Sequence, residues 1–210
     1  MAYTQSFYGL DGTQYTVNID NVSPATPPPL AAQPFESQED NETDMFVPVR
    51  TQSGYLRLLL TETANNWKQF VPSSAVAMPV KLKVGNVIRW QGYVQTGTYG
   101  MSYPAVYEEF DIPLCCPLSA LDSFTIEGTG PADIVTVGNL IAHLLGKLSG
   151  LTFYVYFSSD SSGTVSQWLA IRLIWRNFVN VNNGVRTGRM SCLGILQELC
   201  KFFGWSCRTF

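Results

Sequence analysis

Residues 79–94 read Pro79-Val80-Lys81-Leu82-Lys83-Val84-Gly85-Asn86-Val87-Ile88-Arg89-Trp90-Gln91-Gly92-Tyr93-Val94. Val80, Leu82 and Val84 alternate with Lys81 and Lys83, the period-two pattern of a half-buried strand. Gly85-Asn86 interrupts the run, and Ile88, Trp90 and Gly92 then alternate with Arg89, Gln91 and Tyr93. A two-residue turn at Gly85-Asn86 pairs Val84 with Val87 and sets Leu82 opposite Arg89, which mixes the faces. A three-residue loop through Val87 pairs Val84 with Ile88, Leu82 with Trp90 and Val80 with Gly92. That register collects the apolar side chains on one face and sets Lys83/Arg89 and Lys81/Gln91 on the other, so it is the one expected. A third alternating run, Val106, Glu108, Phe110, Ile112 and Leu114, leads into a short helical segment at 117–124.

Bulk composition narrows the function class. Of the 210 residues, 46% are hydrophobic and 14% charged, against about 25% charged in typical soluble domains. The depletion is strongest after Asp111, and a surface so poor in charge points to contact with other protein. A net charge of −3 speaks against nucleic-acid binding by phosphate neutralisation. No run reaches the roughly 18 apolar residues of a membrane span. The opening Met1-Ala2-Tyr3-Thr4-Gln5-Ser6 lacks the basic and apolar regions of a signal peptide, so synthesis in a bacterial cytoplasm is expected. Five cysteines at irregular spacing, with Cys115 and Cys116 adjacent, read as reduced thiols and not as a disulfide framework.

Outward from the central hairpin, the pattern gives a β-rich body over 1–116. Ser6–Ile19 forms a first hairpin around the turn signal Leu10-Asp11-Gly12-Thr13. Residues 23–35 carry five prolines and read as an extended, Pro-rich connector with little capacity to pair. Phe46–Leu60 is a strand region with a bulge or bend at Gly54, 64–71 around Trp67 is a helical turn, and 96–103 is an aromatic loop. Region 117–210 reads as alternating helices and strands. Val137, Leu140, Ile141, Leu144, Leu145 and Leu148 make one apolar helical stripe with Gly150 as its cap. Cys192, Ile195, Leu196, Leu199, Cys200 and Phe203 make another, from Ser191 to Gly204. Strand-like runs follow each, Leu151–Phe157 and Trp205–Phe210, in a weak helix–glycine–strand repeat, and 167–177 is read as strand. The last run looks like half a hairpin: a truncated chain, or a strand that pairs within the sheet or with another subunit. The fold class is α+β, mainly antiparallel in a barrel-like or sandwich sheet, with two or three short-to-medium amphipathic helices.

The search for chemistry yields no catalytic, cofactor or metal assignment. Asp40, Glu42 and Asp44 at alternate positions suit calcium, but the glycine and distal glutamate of an EF-hand are missing, and a solvated loop is the plainer reading. His143 is the only histidine and falls on the polar face of its helix. Glu108, Glu109 and Asp111 offer a carboxylate pair for glycoside hydrolysis, yet on a strand Glu108 points to the apolar face, where Arg57 or Arg89 would partner it, while Glu109 and Asp111 face away. Gly128-Thr129-Gly130-Pro131 reads as a turn, since a nucleotide loop needs a third glycine. Cys115, Cys116, Cys200 and Cys207 lack zinc spacing. Tyr93, Tyr99, Tyr103 and Tyr107 look exposed and suit either a subunit interface or sugar stacking.

Three motifs carry a resemblance. Residues 44–57, from Asp44-Met45-Phe46 through Pro48-Val49-Arg50-Thr51-Gln52-Ser53-Gly54-Tyr55-Leu56-Arg57, then Trp90-x-Gly92-Tyr93-Val94 and Pro117-Leu118-Ser119-Ala120-Leu121-Asp122, resemble phage and prophage tail proteins of gut Bacteroidetes. The closing Leu196-x-x-Leu199-Cys200-x-x-Phe203-Gly204-Trp205 is similar to a helix, Phe-Gly-Trp, strand step in such proteins. The resemblance implies a virion structural protein, hub-like at a tail tip or baseplate, which meets other tail proteins and further copies of itself and continues past Phe210. It implies no catalytic residues. A carbohydrate-binding adhesin module using the tyrosines is the alternative.

Overall fold

Val17 and Ile19, Val80 and Leu82, and Trp90 stand at alternate positions on three neighbouring strands, and all five are buried. This is the period-two pattern made real: each strand turns one row of side chains inward. The structure is a computed structural model and describes residues 2–40, 47–61, 66–97, 108–126, 134–151, 167, 169–174, 177–182 and 185–208. The chain divides into two compact units, 1–120 with 206–210 and 121–205. The first helix therefore belongs with the strands, and the chain's last residues return to the first unit.

The first unit holds a seven-stranded antiparallel sheet. Its strands are β1 (Ala2–Tyr8), β2 (Gln14–Asp20), β3 (Leu30–Glu39), β5 (Gln52–Leu60), β6 (Pro79–Val84), β7 (Val87–Val94) and β8 (Glu108–Cys115), in the order β1-β2-β6-β7-β8-β5-β3. The sheet does not close into a barrel, because β1 and β3 are both edges. It is nevertheless curled: side chains from every strand, with Phe35 of edge strand β3 and Tyr3 of edge strand β1, join one apolar cluster. The Tyr3 hydroxyl donates to the Pro28 carbonyl at 2.8 Å, tying one edge to the chain entering the other. Phe35 meets Trp90 edge-on at 5.4 Å across the interior. A 3₁₀ turn, Trp67–Phe70, stands where a helical turn is expected, and its Phe70 packs edge-on against Tyr3 at 5.3 Å.

The expected hairpin register holds for Val80–Gly92 and Leu82–Trp90 but fails near the turn. There Val84 pairs with Val87 across a two-residue turn, and a register shift follows between Leu82 and Lys83. Gly85 carries φ of 56° at the first central position, the place a type II′ turn reserves for glycine. The bulge restores the facing that a plain two-residue turn would destroy, and in doing so leaves Ile88 opposite Lys83 and exposed.

Three further expectations are corrected. Part of the Pro-rich connector pairs after all: Leu30 and Phe35 lie opposite Leu58 and Leu56, with the ladder interrupted between them. Pro34 is tolerated because β3 is an edge. Gly54 makes no bulge; its pairings with Ser37 and Leu114 are regular. A Cβ there would collide with the Glu36 carbonyl, so glycine permits a close approach of β3. The first hairpin forms in register from Ala2–Asp20 to Tyr8–Gln14, starting earlier than the sequence pattern places it.

In the second unit, α2 (Val137–Leu145) and α3 (Cys192–Phe203) bury the expected apolar stripes. Thr136 caps α2 by accepting from the Asn139 N–H, and Ser191 caps α3 by accepting from Gly194. Gly204 ends α3 with φ of 66° as expected, whereas α2 stops at Gly146, four residues before Gly150. The bonds Gly146 N–H to Ala142 O and Lys147 N–H to Leu144 O tighten that end without a left-handed residue. Short strands β9 (Ile134–Thr136) and β10 (Arg172–Ile174) pair antiparallel, as do β11 (Val179–Asn182) and β12 (Val185–Arg189). The 167–177 segment is mixed: Gln167 and Leu169 are helical, and 172–174 is strand. Leu151–Phe157, apart from Leu151, lies outside the described residues.

Candidate functional site

The motif residues of the first unit meet at one seam. Tyr93 of β7 faces Cys115 of β8, and Val94 faces Leu114. The chain then turns at Cys116 into α1 (Pro117–Ala120), with proline at the first helical position, where its missing N–H costs nothing. The Cys116 thiol stands in for the usual hydroxyl cap: its Sγ accepts from the Ser119 N–H at 3.4 Å and from the Gln52 N–H at 3.2 Å. Beside it β4 (Val49–Arg50) pairs in parallel with β13 (Cys207–Arg208), and the Cys207 N–H donates to the Pro48 carbonyl at 2.7 Å. The closing strand thus has a partner within its own chain.

Burial in this seam argues against thiol chemistry. Burial, with smaller contributions from Cys116 and Asp40, pushes the Cys115 thiol up to about 12. Burial and the neighbouring Cys116 push Cys207 up as well, and burial raises Cys192. A thiol held protonated is a poor nucleophile and a poor metal ligand. None of the five cysteines is in a disulfide, and among the described residues no cluster of cysteine, histidine or carboxylate side chains is arranged to hold a metal ion.

The tyrosine expectation is corrected at its first member. Tyr93 is fully buried, with its hydroxyl pushed far above the ordinary range by desolvation first and by Cys115 second. It faces Pro79 and Cys115 across the ladder and is no part of an exposed patch. Tyr99, Tyr103 and Tyr107 lie outside the described residues, as do Glu42, Asp44 and the Gly128–Pro131 turn.

The carboxylates separate as strand geometry requires. Asp111 accepts from Arg57 Nε at 3.1 Å across the β5–β8 ladder, and Glu36 Oε2 lies 3.6 Å from the same guanidinium. Arg57 is therefore engaged on the outer face, and the expectation that it partners Glu108 fails. Both Glu108 oxygens are buried without a hydrogen-bond partner among the described residues, on the face that carries Phe110 and Ile112; Glu109 is exposed. Asp111 and Glu36 share the Arg57 guanidinium, and Glu108 lies on the opposite, apolar face. Asp40 accepts from the Ser53 hydroxyl, and His143 lies exposed on α2.

The structure also displays apolar side chains that sequence reasoning passed over. Ile134 and Ile174 face each other across β9–β10, 60% and 46% exposed. Phe202 projects from α3 at 77% exposure beside Phe203, which stacks on Trp205 at 4.5 Å. In the first unit Tyr8, Leu10 and Val87 are exposed near two turns, as is Ile88, which the sequence pattern places on the apolar face. The signal available was a helical position outside the apolar stripe (Phe202) and apolar residues flanking turns.

No family model, curated protein or solved structure matches this chain.

Proposed function

We propose that the chain is a structural, non-enzymatic assembly component of a phage-type tail, hub-like at a tail tip or baseplate. It acts through protein–protein contacts with other tail proteins and with further copies of itself. The observation that carries this reading is the display of apolar side chains on ordered elements of the second unit, Ile134 with Ile174 and Phe202. Side chains of this kind, in a chain with 14% charged residues, suit contact with protein better than exposure to water. The motif resemblance supplies the tail context. Among the described motif residues of the first unit, Val49, Tyr93, Val94, Leu118 and Ala120 are buried in packing, as a scaffold would use them.

Mass spectrometry of purified tail particles from a host that encodes the chain provides the test. The expected result is recovery of the chain at a fixed stoichiometry with tube and baseplate proteins. Its absence from intact particles, or its presence only in the soluble lysate, overturns the reading. The adhesin alternative loses Tyr93 to the interior.

A further inference from the structure

Two tight turns meet at one end of the seven-stranded sheet. Thr16 pairs with both Ser6 and Lys83, and Lys83 with Ile88, so the β1–β2 turn and the β6–β7 turn lie at the same end of four consecutive strands. At about 4.8 Å per strand the two tips are spread over roughly 14 Å.

The first tip is built to hold its shape. The Gly9 N–H donates to Thr13 O at 2.9 Å and the Gly12 N–H to Gly9 O at 3.0 Å. The Asp11 carboxylate accepts from the Thr13 N–H at 3.0 Å and from the Thr13 hydroxyl at 2.8 Å. These bonds hold the Asp11 carboxyl below its ordinary range, the backbone bond first and the hydroxyl second. Gly12 takes φ of 75°, and Leu10 is left fully exposed at the apex, with Tyr8 72% exposed beside it. Below it Phe7 and Tyr15 stack at 5.4 Å, stiffening the stem. The second tip presents Val87 at 56% and Ile88 at 41%.

Two basic side chains stand at the second tip, and Asp11 stands at the first. Lys83 sits opposite Ile88, and Arg89 occupies the bulge next to it and is exposed. The carboxylate of Asp11 is turned back onto Thr13, whereas Lys81, deeper in the sheet, is paired with Asp20 at 3.4 Å. The surface is a pair of separated apolar prongs, with an aromatic stem under the first and a basic collar at the second. A protein pocket would have to match both prongs in shape. A fluid apolar phase under anionic headgroups takes them without such matching, and it rewards the collar as well.

We infer that this end of the sheet docks on an anionic lipid surface, with Leu10, Tyr8, Val87 and Ile88 entering the headgroup boundary and Lys83 and Arg89 meeting lipid phosphates. The inference goes beyond the assembly role and does not depend on it.

Flotation of the full chain with vesicles tests it, using phosphatidylcholine mixed with phosphatidylglycerol and phosphatidylcholine alone. The wild type is expected to float with the anionic vesicles and much less with the neutral ones. The double variant Leu10→Ser/Ile88→Ser is expected to lower partitioning by about tenfold or more on the anionic vesicles. Lys83→Gln/Arg89→Gln is expected to lower it about tenfold on those vesicles while leaving neutral vesicles unaffected. Leu10, Ile88 and Arg89 are exposed and Lys83 is half-buried, and an unchanged thermal midpoint and circular dichroism confirm that each variant is folded. Failure of the wild type to float, or variants floating as well as the wild type, overturns the inference. So does light scattering that shows a multimer dissolved by the Leu10/Ile88 variant with no vesicle binding, which assigns the tips to a second copy instead.

Discussion

Trp90 and Gly92 are two residues apart on β7 and share a face, and the absence of a side chain at Gly92 is what lets the indole lie down. A Cβ at Gly92 would overlap both the indole ring and the Cys115 carbonyl, one of which is backbone and has little room to give. Gly92→Ala is therefore expected to destabilise the first unit by about 1–3 kcal/mol, the range of overpacked cores, read as a lowered urea midpoint. A variant as stable as the wild type would show that the strand shifts freely there. The neighbouring thiol makes a pH prediction. Cys115 is raised from 9.0 to about 12 in the fold. Below pH 9.0 folded and unfolded chains both hold this proton. Above it the unfolded chain releases the proton while the folded chain keeps it, so stability falls by about 1.4 kcal/mol per pH unit until about pH 12. Tyr3 and Tyr93, also raised by burial, act in the same direction at higher pH. Urea midpoints at about pH 8 and about pH 10 measure the slope, and Cys115→Ala should reduce it, with Cys192 and Cys207 supplying what remains. An identical slope in that variant would place the alkaline loss elsewhere.

At the scale of elements, what was legible followed local rules, and what was not depended on a distant strand. The α3 stripe, its Ser191 cap and its Gly204 terminus are written in twelve consecutive residues and their flanks, and each stands where the pattern puts it. Ser191→Ala should cost about 1 kcal/mol, and Gly204→Ala a similar amount through the left-handed φ. Hydrogen exchange in the first and last turns of α3 reads the two effects separately; unchanged protection in both would mean that packing alone sets the helix ends. Gly150 reads as a cap for α2, but the carbonyls of Ala142 and Leu144 are already satisfied by the N–H groups of Gly146 and Lys147. Gly54 reads locally as a bulge, and only the approach of the Glu36 carbonyl from β3 shows its use. The register of β6–β7 was right where two apolar rows had to meet, at Leu82–Trp90. It fails at the turn, where a bulge preserves the inner pairing.

For the whole molecule, the α+β class and the antiparallel sheet were legible because they rest on alternation over many strands. The candidate site was not. Exposure is a property of the assembled chain: Tyr93 looks like a surface residue by type and is fully buried, while Ile134 and Ile174 look like core and face water. The first-unit motif residues Gln52 and Tyr93 and the adjoining Cys116 are far apart along the chain, and their meeting beside α1 depends on pairings between distant strands. The same displayed isoleucines give the assembly reading its sharpest consequence. They face each other on a two-stranded ladder with no further strand on either side among the described residues. Ile134→Thr/Ile174→Thr keeps two β-branched side chains in the ladder and so preserves strand propensity. It removes the apolar area that a neighbouring subunit would cover. If copies associate through this ladder, multi-angle light scattering should show a wild-type mass that rises with concentration and a double variant that stays monomeric. At about 1–2 kcal/mol of buried side chain lost per subunit, the dissociation constant should rise by about tenfold or more. Equal masses for the two proteins across the concentration range would remove this ladder from any interface between copies.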